Sequence, residues 1–351
     1  MSTTLAGIDE ATRAALATLI DVADLAMPFA IRTFSELGIA DHLRDGPRAT
    51  PELAGRLAVE AQPLRRLLAA LSAGKLLAQP ELDVFALTPA TELLCTDHPV
   101  SLRDAYRLSR LEARTWGHFS YCLRTGAAAF ERVYGQPHRR YRAEHPEEDA
   151  RMDDAHRAAS RVQALTLVRV YPWRRVRAVV DVGGGTGAFL TGLLRRYPHM
   201  TGTLFELAQM AGWARDLMAD SDVADRCEVV SGDFFISVPP GADVYVLKSV
   251  LGGWDDEAGT RILRSVRSAM RADSTVLVIE PMMGYGDQFS MSNVVHLQSL
   301  LLYGGIDRTR ADYEALFARA GLWIKQVITW AALPVLELVP DRPEGQWGSP
   351  A

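Results

Sequence analysis

The sequence predicts a chain in two parts, a mainly helical N-terminal part followed by an α/β part built on a parallel sheet. Three observations support this. Its 351 residues suit about two domains. Apolar residues recur at helical spacing through the first half, whereas strands and helices alternate after residue 175. A glycine-rich turn then opens the alternating half. We therefore draw domains at residues 1–100, 101–175 and 176–340.

The N-terminal domain is predicted to hold helices followed by two short strands. Apolar residues keep helical spacing over Asp9–Phe34, where Pro28 is expected to kink or split the helix. Thr50-Pro51-Glu52 combines a cap residue, a first-turn proline and an acid, which is a helix start. A second helix covers Gln62–Ala73, and Leu76–Leu87 is typical of two short strands. Helix, helix and two-stranded wing is the order of a winged helix-turn-helix.

Between the two parts the pattern stays helical. Ser101–Ser120 and Glu147–Val170 are predicted as long helices. The intervening Arg124–Arg142 is rich in glycine and proline and is predicted to be mainly loop.

The second half alternates between apolar strands and amphipathic helices. The predicted strands are Ala178–Val182, Gly202–Phe205, Cys227–Val230, Ala242–Lys248, Ser274–Glu280, Ile324–Trp330 and Val335–Val339. The predicted helices are Ala188–Tyr197, Ala208–Met218, Glu257–Met270 and Arg310–Ala320. Such alternation predicts a parallel sheet with helices on both faces, and ligands of such sheets bind beyond the carboxyl ends of the strands.

A glycine-rich turn, Asp181–Gly187, joins the first of these strands to a helix. Glycines allow a sharp turn and a close approach of the backbone to a ligand, and the helix start offers free N–H groups. Glu206, nineteen residues after Gly187, ends the next strand, where a carboxylate can accept both ribose hydroxyls of an adenosine. The turn therefore predicts a nucleotide-like cofactor.

The turn alone leaves two cofactors open. Gly183, Gly185 and Ala188 also satisfy the dinucleotide fingerprint. S-adenosylmethionine is favoured because the turn lies mid-chain behind a large helical part, and because Asp181 can reach the ammonium of a methionine moiety. An acid after the following strand, Asp233, can also take the adenine amino group.

Short motifs distributed along the chain point to one family. They are Trp116-Gly117-His118, Arg124-Thr125-Gly126, Gly232-Asp233, Trp254-Asp255-Asp256, Glu280-Pro281, Gly304-Gly305 and Arg308-Thr309. Together with the glycine turn, they resemble plant caffeic acid O-methyltransferases and bacterial O-methyltransferases that tailor anthracyclines and other polyketides. The resemblance covers nearly the whole chain.

The resemblance implies a winged-helix dimerisation domain, a helical linker and substrate-pocket region, and a Rossmann-like class I methyltransferase domain. It further implies a homodimer that uses S-adenosylmethionine and a polyketide, aromatic or peptide-derived substrate. It also implies a cofactor site lined by Gly183, Glu206, Asp233, Phe234 and Lys248. We expect neighbouring residues to complete that site, namely Asp181, Gly185, Leu207, Ser249 and Trp254.

The sequence departs from the family pattern at the catalytic base. The family commonly places a histidine and then an aspartate where this chain has Gly252 and Gly253. Of the family's two supporting carboxylates, Glu280 is retained and Asp307 is shortened from glutamate. His296, on the helix before the second glycine pair, is either a displaced base or a structural histidine. The candidate substrate residues are His118, Tyr121, Met152, Gly252 and Tyr303.

The missing histidine leaves two chemistries open. Holding an acceptor oxygen against an activated methyl can supply about 7–11 kcal/mol of the barrier, whereas a general base adds about 10²–10⁴ in rate. Methyl transfer to a phenol, enol or carboxylate can therefore run largely by proximity. The alternative is a relative that keeps the cofactor but catalyses hydroxylation, decarboxylation, or a pericyclic or dehydrative reaction.

A rival of another class is a DNA-binding regulator with a ligand-sensing domain. Its support is the helix-helix-wing order and the basic pair Arg65-Arg66. A net charge of −5 disfavours nucleic acid and anionic membrane as partners. Three widely spaced cysteines predict reduced thiols, and the histidines show no metal-ligand spacing. With neither a secretory signal nor an 18-residue apolar run, we expect a cytoplasmic enzyme.

Overall fold

The computed structural model describes residues 9–145, 147–148, 151–152, 154, 158, 164, 167–284, 291–329 and 333–340. The chain forms two compact units. The first comprises Met1–Ser109 with Asp154–Ala158, and the second Arg110–Asp153 with Ala159–Ala351. The domain boundaries drawn from the sequence stay predictions.

The first unit contains short helices and a small antiparallel sheet. Its helices are α1 (Glu10–Ala23), α2 (Ala26–Glu36), α3 (Ile39–Leu43), α4 (Thr50–Leu57), α5 (Ala61–Ala73) and α6 (Pro89–Glu92), with a 3-10 turn at Asp104–Tyr106. Its strands are β1 (Arg48–Ala49), β2 (Leu77–Glu81) and β3 (Val84–Leu87), in the order β1-β3-β2. The predicted helix-helix-wing order is therefore confirmed.

The break in the first predicted helix is at Asp24 rather than at Pro28. The Asp24 backbone N–H closes α1 on the Ile20 carbonyl, while its carboxylate accepts from the backbone N–H groups of Ala26 and Met27. An aspartate that ends one helix and caps the next splits the chain. Pro28 falls in the first turn of α2, where its missing N–H costs no helical hydrogen bond.

The turn of the wing is fastened to both helices before it. Asp83 accepts two hydrogen bonds from the Arg65 guanidinium, both 2.8 Å, and one from the Thr50 hydroxyl, 2.6 Å. One half of the basic pair that suggested DNA binding thus contacts a carboxylate of its own unit.

The second unit is an α/β domain with additional helices. Its helices are α7 (Arg110–Trp116), α8 (Phe119–Thr125), α9 (Ala129–Tyr134), α10 (His138–Glu144), α11 (Ala188–Arg196), α12 (Ala208–Ala219), α13 (Asp256–Ala269), α14 (Met291–Tyr303) and α15 (Arg310–Arg319). Its strands are β4 (Ala178–Val182), β5 (Thr201–Glu206), β6 (Cys227–Ser231), β7 (Val244–Lys248), β8 (Thr275–Ile279), β9 (Trp323–Ile328) and β10 (Val335–Val339). Single 3-10 turns lie at Trp173–Arg175, Ala224–Arg226 and Leu251–Gly253.

The seven strands form one sheet in the order β6-β5-β4-β7-β8-β10-β9. The pairs from β6 to β8 are parallel, but β10 runs antiparallel to both β8 and β9. The predicted parallel sheet is therefore confirmed for five strands, and β10 is an antiparallel exception that the sequence did not predict. β9 ends at Ile328 and β10 begins at Val335, and so short a link cannot make a parallel crossover.

Alternate residues of the central strands enter two separate apolar cores. Val244 and Val246 of β7 belong to one core, whereas Tyr245 and Leu247 belong to the other. Because side chains alternate across a strand, the sheet is buried on both faces. The polar residues at the strand ends are therefore brought to one edge of a rigid, buried sheet.

Helix predictions ahead of the sheet need correction. The expected long helix over Ser101–Ser120 is interrupted, with α7 ending at Trp116 and α8 beginning at Phe119. The expected loop over Arg124–Arg142 instead contains α9 and most of α10. Gly126 and Gly135, at φ of 70° and 73°, close α8 and α9 with left-handed caps. Here glycine ends short helices rather than marking a loop.

Two further predictions fall largely outside the described residues. These are the helix over Glu147–Val170 and the polar tail after Pro340. Among the helices that are described, none is both long and apolar enough to cross a membrane.

Candidate active site

The glycine turn after β4 folds tightly over a buried acid. A Cβ added at Gly184 would lie 2.4 Å from Asp181 Oδ2 and 2.5 Å from Leu204 Cδ1, so only glycine fits. Gly185 has φ of 61°, a left-handed conformation that glycine adopts without strain. No described atom lies within 4 Å of a Cβ built there, so the backbone faces open space.

Glu206, at the end of β5, holds this turn in place. Its Oε1 accepts a hydrogen bond of 3.1 Å from the Gly185 N–H, and its Oε2 accepts one of 2.8 Å from the Leu207 N–H. Leu207 itself is exposed. The carboxylate predicted to meet a ribose is thereby fixed beside the glycine turn.

Asp181 is buried without a hydrogen-bond partner. Its side chain is 1% exposed, and neither carboxylate oxygen bonds to any described group. Burial raises the pKa of Asp181 to about 7, against the nearby charge of Lys248, which lowers it. A buried carboxylate is costly unless a cation or hydrogen-bond donors meet it. This orphaned acid fits the ammonium of S-adenosylmethionine.

Lys248, the last residue of β7, links two parts of the site. Burial lowers its pKa, while the charges of Asp181 and Glu280 raise it. The next residue, Ser249, has φ of 56° and donates its N–H to the Ile279 carbonyl over 3.0 Å. This left-handed residue turns the chain from β7 into the Leu251–Gly253 turn.

Three aromatic rings stand beside the glycine turn. The ring centroids of Phe234 and Phe235 are 5.0 Å apart, and those of Phe235 and Trp254 are 4.9 Å apart. A Cβ on Gly183 would lie 3.8 Å from the Phe234 ring. Asp233 Oδ1 accepts from the Phe235 N–H at 2.8 Å, which caps the turn after β6. The rings suit the flat face of an adenine base.

Gly252 lies against the buried carboxylate of Glu280. A Cβ built on Gly252 would be 3.2 Å from Glu280 Oε2. Glu280 Oε1 accepts from the Leu251 N–H at 2.7 Å. Burial raises the pKa of Glu280 to about 7, although hydrogen bonds from backbone N–H groups, that of Leu251 first, oppose the shift.

Arg308 fixes the same segment from its other side. Its guanidinium, 1% exposed, donates to the carbonyls of Leu251 at 2.9 Å and Trp254 at 2.7 Å, and to Asp256 Oδ1 at 3.0 Å. Leu251 is thus held at both its N–H and its carbonyl. The sequence showed Arg308 only as part of a family motif, because its backbone partners leave no side-chain pattern.

His296 and Asp307 form a pair in this unit. His296 Nδ1 lies 2.6 Å from Asp307 Oδ1. The imidazole is 8% exposed, and its Nε2 is buried without a hydrogen-bond partner among the described residues. The sequence predicted both residues as catalytic candidates but did not predict that they contact each other.

A cluster of aromatic side chains surrounds Tyr303 at the end of α14. The Tyr303 and His138 rings meet edge to face at 4.8 Å, and His138 in turn lies 4.7 Å from Phe130. Tyr134 stacks on Phe130 at 4.5 Å, and Tyr121 packs at the periphery. The sequence predicted Tyr121 and Tyr303 as substrate residues, but it did not single out Tyr134 or His138.

Two predicted substrate residues lie apart from these contacts. His118 is exposed at the start of α8, and Met152 is half-buried. Their roles stay predictions. Gly252, another predicted substrate residue, lies against Glu280 as described above.

The buried sheet, the glycine turn and the acids at the strand ends define the class of S-adenosylmethionine-dependent methyltransferases. Family models agree with this class. An O-methyltransferase domain matches residues 116–323, and an O-methyltransferase dimerisation domain matches residues 20–97. The chain belongs to the O-methyltransferase family, uses S-adenosylmethionine and serves secondary metabolism.

Individual relatives cover most of the chain. A phenazine O-methyltransferase of Lysobacter antibioticus is 33% identical over 310 residues, 88% of this chain and 90% of the relative. An aclacinomycin 10-hydroxylase of Streptomyces purpurascens is 33% identical over 315 residues, 87% of this chain and 83% of the relative. The O-methyltransferase of neocarzinostatin biosynthesis, solved with S-adenosylmethionine and 2-hydroxy-5-methyl naphthoic acid, is 31% identical with a TM-score of 0.70, over 91% of this chain and 97% of that one.

Proposed function

We propose that this enzyme transfers the methyl group of S-adenosylmethionine to an oxygen of a small aromatic metabolite, as a phenol, enol or carboxylate. The observation that carries the proposal is that the end of β7 connects the groups proposed to bind the cofactor with the groups proposed to hold the acceptor. β7 ends at Lys248, beside the orphaned Asp181, and four residues later Gly252 lies against Glu280. A cofactor held by the first group can thus present its methyl near the second.

The cofactor site uses groups from four strand ends. Asp181 meets the ammonium of the methionine moiety, Glu206 the ribose hydroxyls, and Asp233 the adenine amino group. The backbone at Gly183 and Gly185 allows the close approach. The remaining lining residues are Leu207, Phe234, Lys248, Ser249 and Trp254. The bound cofactor supplies a methyl carbon activated by its positive sulfur.

Positioning supplies most of the rate in this proposal. Gly252 offers no imidazole, so the acceptor oxygen must be held in line with the methyl, an effect worth about 7–11 kcal/mol. Glu280 and Arg308 hold Leu251 and thereby fix the position of Gly252, which forms one wall of the proposed acceptor site. An acidic acceptor, already partly ionised, needs the least help from a base.

The substrate is a flat aromatic molecule of polyketide, aromatic or peptide-derived origin. The aromatic cluster around Tyr303 supports this, since ring edges and faces bind flat ligands with little loss of entropy. The neocarzinostatin relative was solved with a naphthoic acid. We further propose that the enzyme is a homodimer through its N-terminal domain, since a dimerisation-domain model matches there.

The test is transfer of a labelled methyl group. The protein is incubated with methyl-labelled S-adenosylmethionine and a set of hydroxynaphthoic and hydroxybenzoic acids, and products are resolved by mass spectrometry. Label in an O-methyl product, with one S-adenosylhomocysteine per product, supports the proposal. Tight binding of the cofactor without label transfer to any member of the set would count against it.

A second candidate function is non-methylating chemistry with the cofactor retained. Two findings favour it: Gly252 stands where the family carries its base, and one relative is named as a hydroxylase. In this case the same assay would show substrate consumed with no label in the product and no S-adenosylhomocysteine.

A further inference from the structure

His296 lies on a helix that faces the aromatic cluster. Leu300, four residues after His296 and therefore on the same side of α14, packs against that cluster. Tyr303, seven residues after His296, lies on the same side of α14 because seven residues make nearly two helical turns. The imidazole is therefore placed on the side of the helix that carries the candidate substrate residue Tyr303.

The contact with Asp307 determines which nitrogen is available. An ionised carboxylate only accepts hydrogen bonds, so the Nδ1 that lies 2.6 Å from Asp307 Oδ1 carries the proton. When the ring carries no second proton, Nε2 presents a lone pair. This atom is buried and has no partner among the described residues, which leaves an unsatisfied acceptor that a ligand hydroxyl would satisfy.

Asp307 is itself tied to the wall at Gly252. The next residue is Arg308, whose side chain holds the Leu251 carbonyl and whose own carbonyl accepts from the Met283 N–H at 2.9 Å. The charges of both acids act on the Tyr313 phenol. Burial raises the pKa of Tyr313 most, and the negative charges of Glu280 and Asp307 raise it further. The His296–Asp307 pair and the Glu280–Gly252 contact thus belong to one neighbourhood.

We propose that His296 is the general base of methyl transfer, in place of the histidine that Gly252 lacks, and that Asp307 is its positioning residue. The acceptor hydroxyl gives its proton to His296 Nε2, and its oxygen keeps the electron pair that bonds the methyl carbon as the carbon–sulfur bond breaks. His296 becomes an imidazolium paired with the Asp307 carboxylate, and later releases the proton to water. This inference rests on the proposed function.

Replacing the imidazole tests the chemistry. Variants H296Q and D307N are compared with the matched control H199Q, whose histidine bonds to the Val176 carbonyl away from the site. Methyl transfer is measured with 2-hydroxy-5-methyl naphthoic acid and the other hydroxy acids of the set. We expect H296Q to lower kcat by about 10²–10⁴-fold with KM changed less than about threefold. D307N should lower kcat less, and H199Q should leave both constants unchanged. A kcat of H296Q within about threefold of the parent overturns the proposal.

A spectroscopic test separates this inference from the proposed function. The protein is labelled with ring ¹⁵N-histidine and bound to S-adenosylhomocysteine, and the ring nitrogens are observed by NMR. The His296 signals are identified as those that disappear from the spectrum of H296Q. We expect the neutral tautomer with the proton on Nδ1, and loss of that preference in D307N. A proton fixed on Nε2, or a tautomer that D307N does not change, overturns the base assignment even if no acceptor is methylated. If the tautomer is as expected but the parent enzyme transfers no label, the fault lies with the proposed function.

Discussion

At the scale of single residues, Asp181 shows how a site can cost stability. The folded-state pKa of Asp181 is raised from 3.8 to about 7 by burial, so between about pH 4 and pH 7 the folded protein holds a proton that the unfolded chain has lost. The contribution of Asp181 to the free energy of unfolding therefore falls as pH rises across this window and is constant above it. A ligand cation that pairs with the ionised carboxylate offsets this cost.

We predict opposite effects of D181N on binding and on stability. The variant should bind S-adenosylmethionine at least about tenfold more weakly, because its amide cannot pair with the ammonium. Parent affinity should rise between pH 6 and pH 7.5 as Asp181 ionises, whereas D181N affinity should change little. Without cofactor at pH 8, D181N should unfold at higher urea than the parent. Calorimetric titration and urea unfolding measure these effects, with the exposed Asp216→Asn as the control. Equal affinity of D181N and parent at pH 7.5 would refute the assigned role.

Alanine substitutions at two glycines of the same unit should change the free energy of unfolding in opposite directions. At Gly184 a methyl would overlap Asp181 and Leu204, so G184A should lower the free energy of unfolding by about 1–3 kcal/mol and weaken cofactor binding. At Gly212, inside α12, no described atom lies within 4 Å of an added Cβ. G212A should therefore raise the free energy of unfolding by about 0.5–1 kcal/mol. Urea unfolding of both variants checks this, and a G184A protein as stable as the parent would contradict it.

At the scale of elements, the Leu251–Gly253 turn depends on groups from distant parts of the chain. Glu280 accepts from the Leu251 N–H, and Arg308 donates to the Leu251 and Trp254 carbonyls. The turn has no side chain at Gly252 with which to fix itself. Its position, and with it the wall of the proposed acceptor site, is set by two buried charged residues.

Removing the arginine should therefore damage both stability and activity. R308A leaves two backbone carbonyls without their donor, and each such loss costs about 1–3 kcal/mol. We expect the free energy of unfolding to fall by about 2–4 kcal/mol and methyl transfer to fall at saturating cofactor. R264A is a matched control, since Arg264 donates to the Arg319 carbonyl on the exposed surface. Similar urea midpoints for R308A and R264A would argue against a role of Arg308 in holding the Leu251–Gly253 turn.

The sequence was informative where a feature is local. The glycine turn, its flanking strand and the acid at Glu206 follow from apolar runs and residue spacing, which the chain itself determines. The short helices around Gly126 were wrongly predicted as loop, because a glycine that caps a helix in the left-handed conformation looks the same in a sequence as a loop glycine. The direction of β10 was not predicted, although the short link from β9 excludes a parallel crossover. The pairing of His296 with Asp307 depends on tertiary packing, which no single-sequence pattern encodes.

At the scale of the whole molecule, the first unit leaves an apolar surface uncovered. Leu19 is 65% exposed, Ile20 68% and Val22 80%, all on α1. The same unit buries its own core around residues such as Phe34, Leu53 and Leu68. The exposed α1 side chains therefore are not needed for that core. Several exposed large apolar side chains on one helix are typical of a protein interface.

We predict that charges on this helix abolish the homodimer. L19E/I20E places two carboxylates where an apolar interface would bury them, and a buried, unpaired charge is strongly unfavourable. Sedimentation velocity at micromolar concentration should show a dimer for the parent and a monomer for the variant, with circular dichroism unchanged. L82E is the matched control, because Leu82 is 93% exposed in the wing turn and outside α1. A variant that still sediments as a dimer would place the interface elsewhere. A monomer that still binds S-adenosylmethionine would show that the cofactor site is complete within one chain.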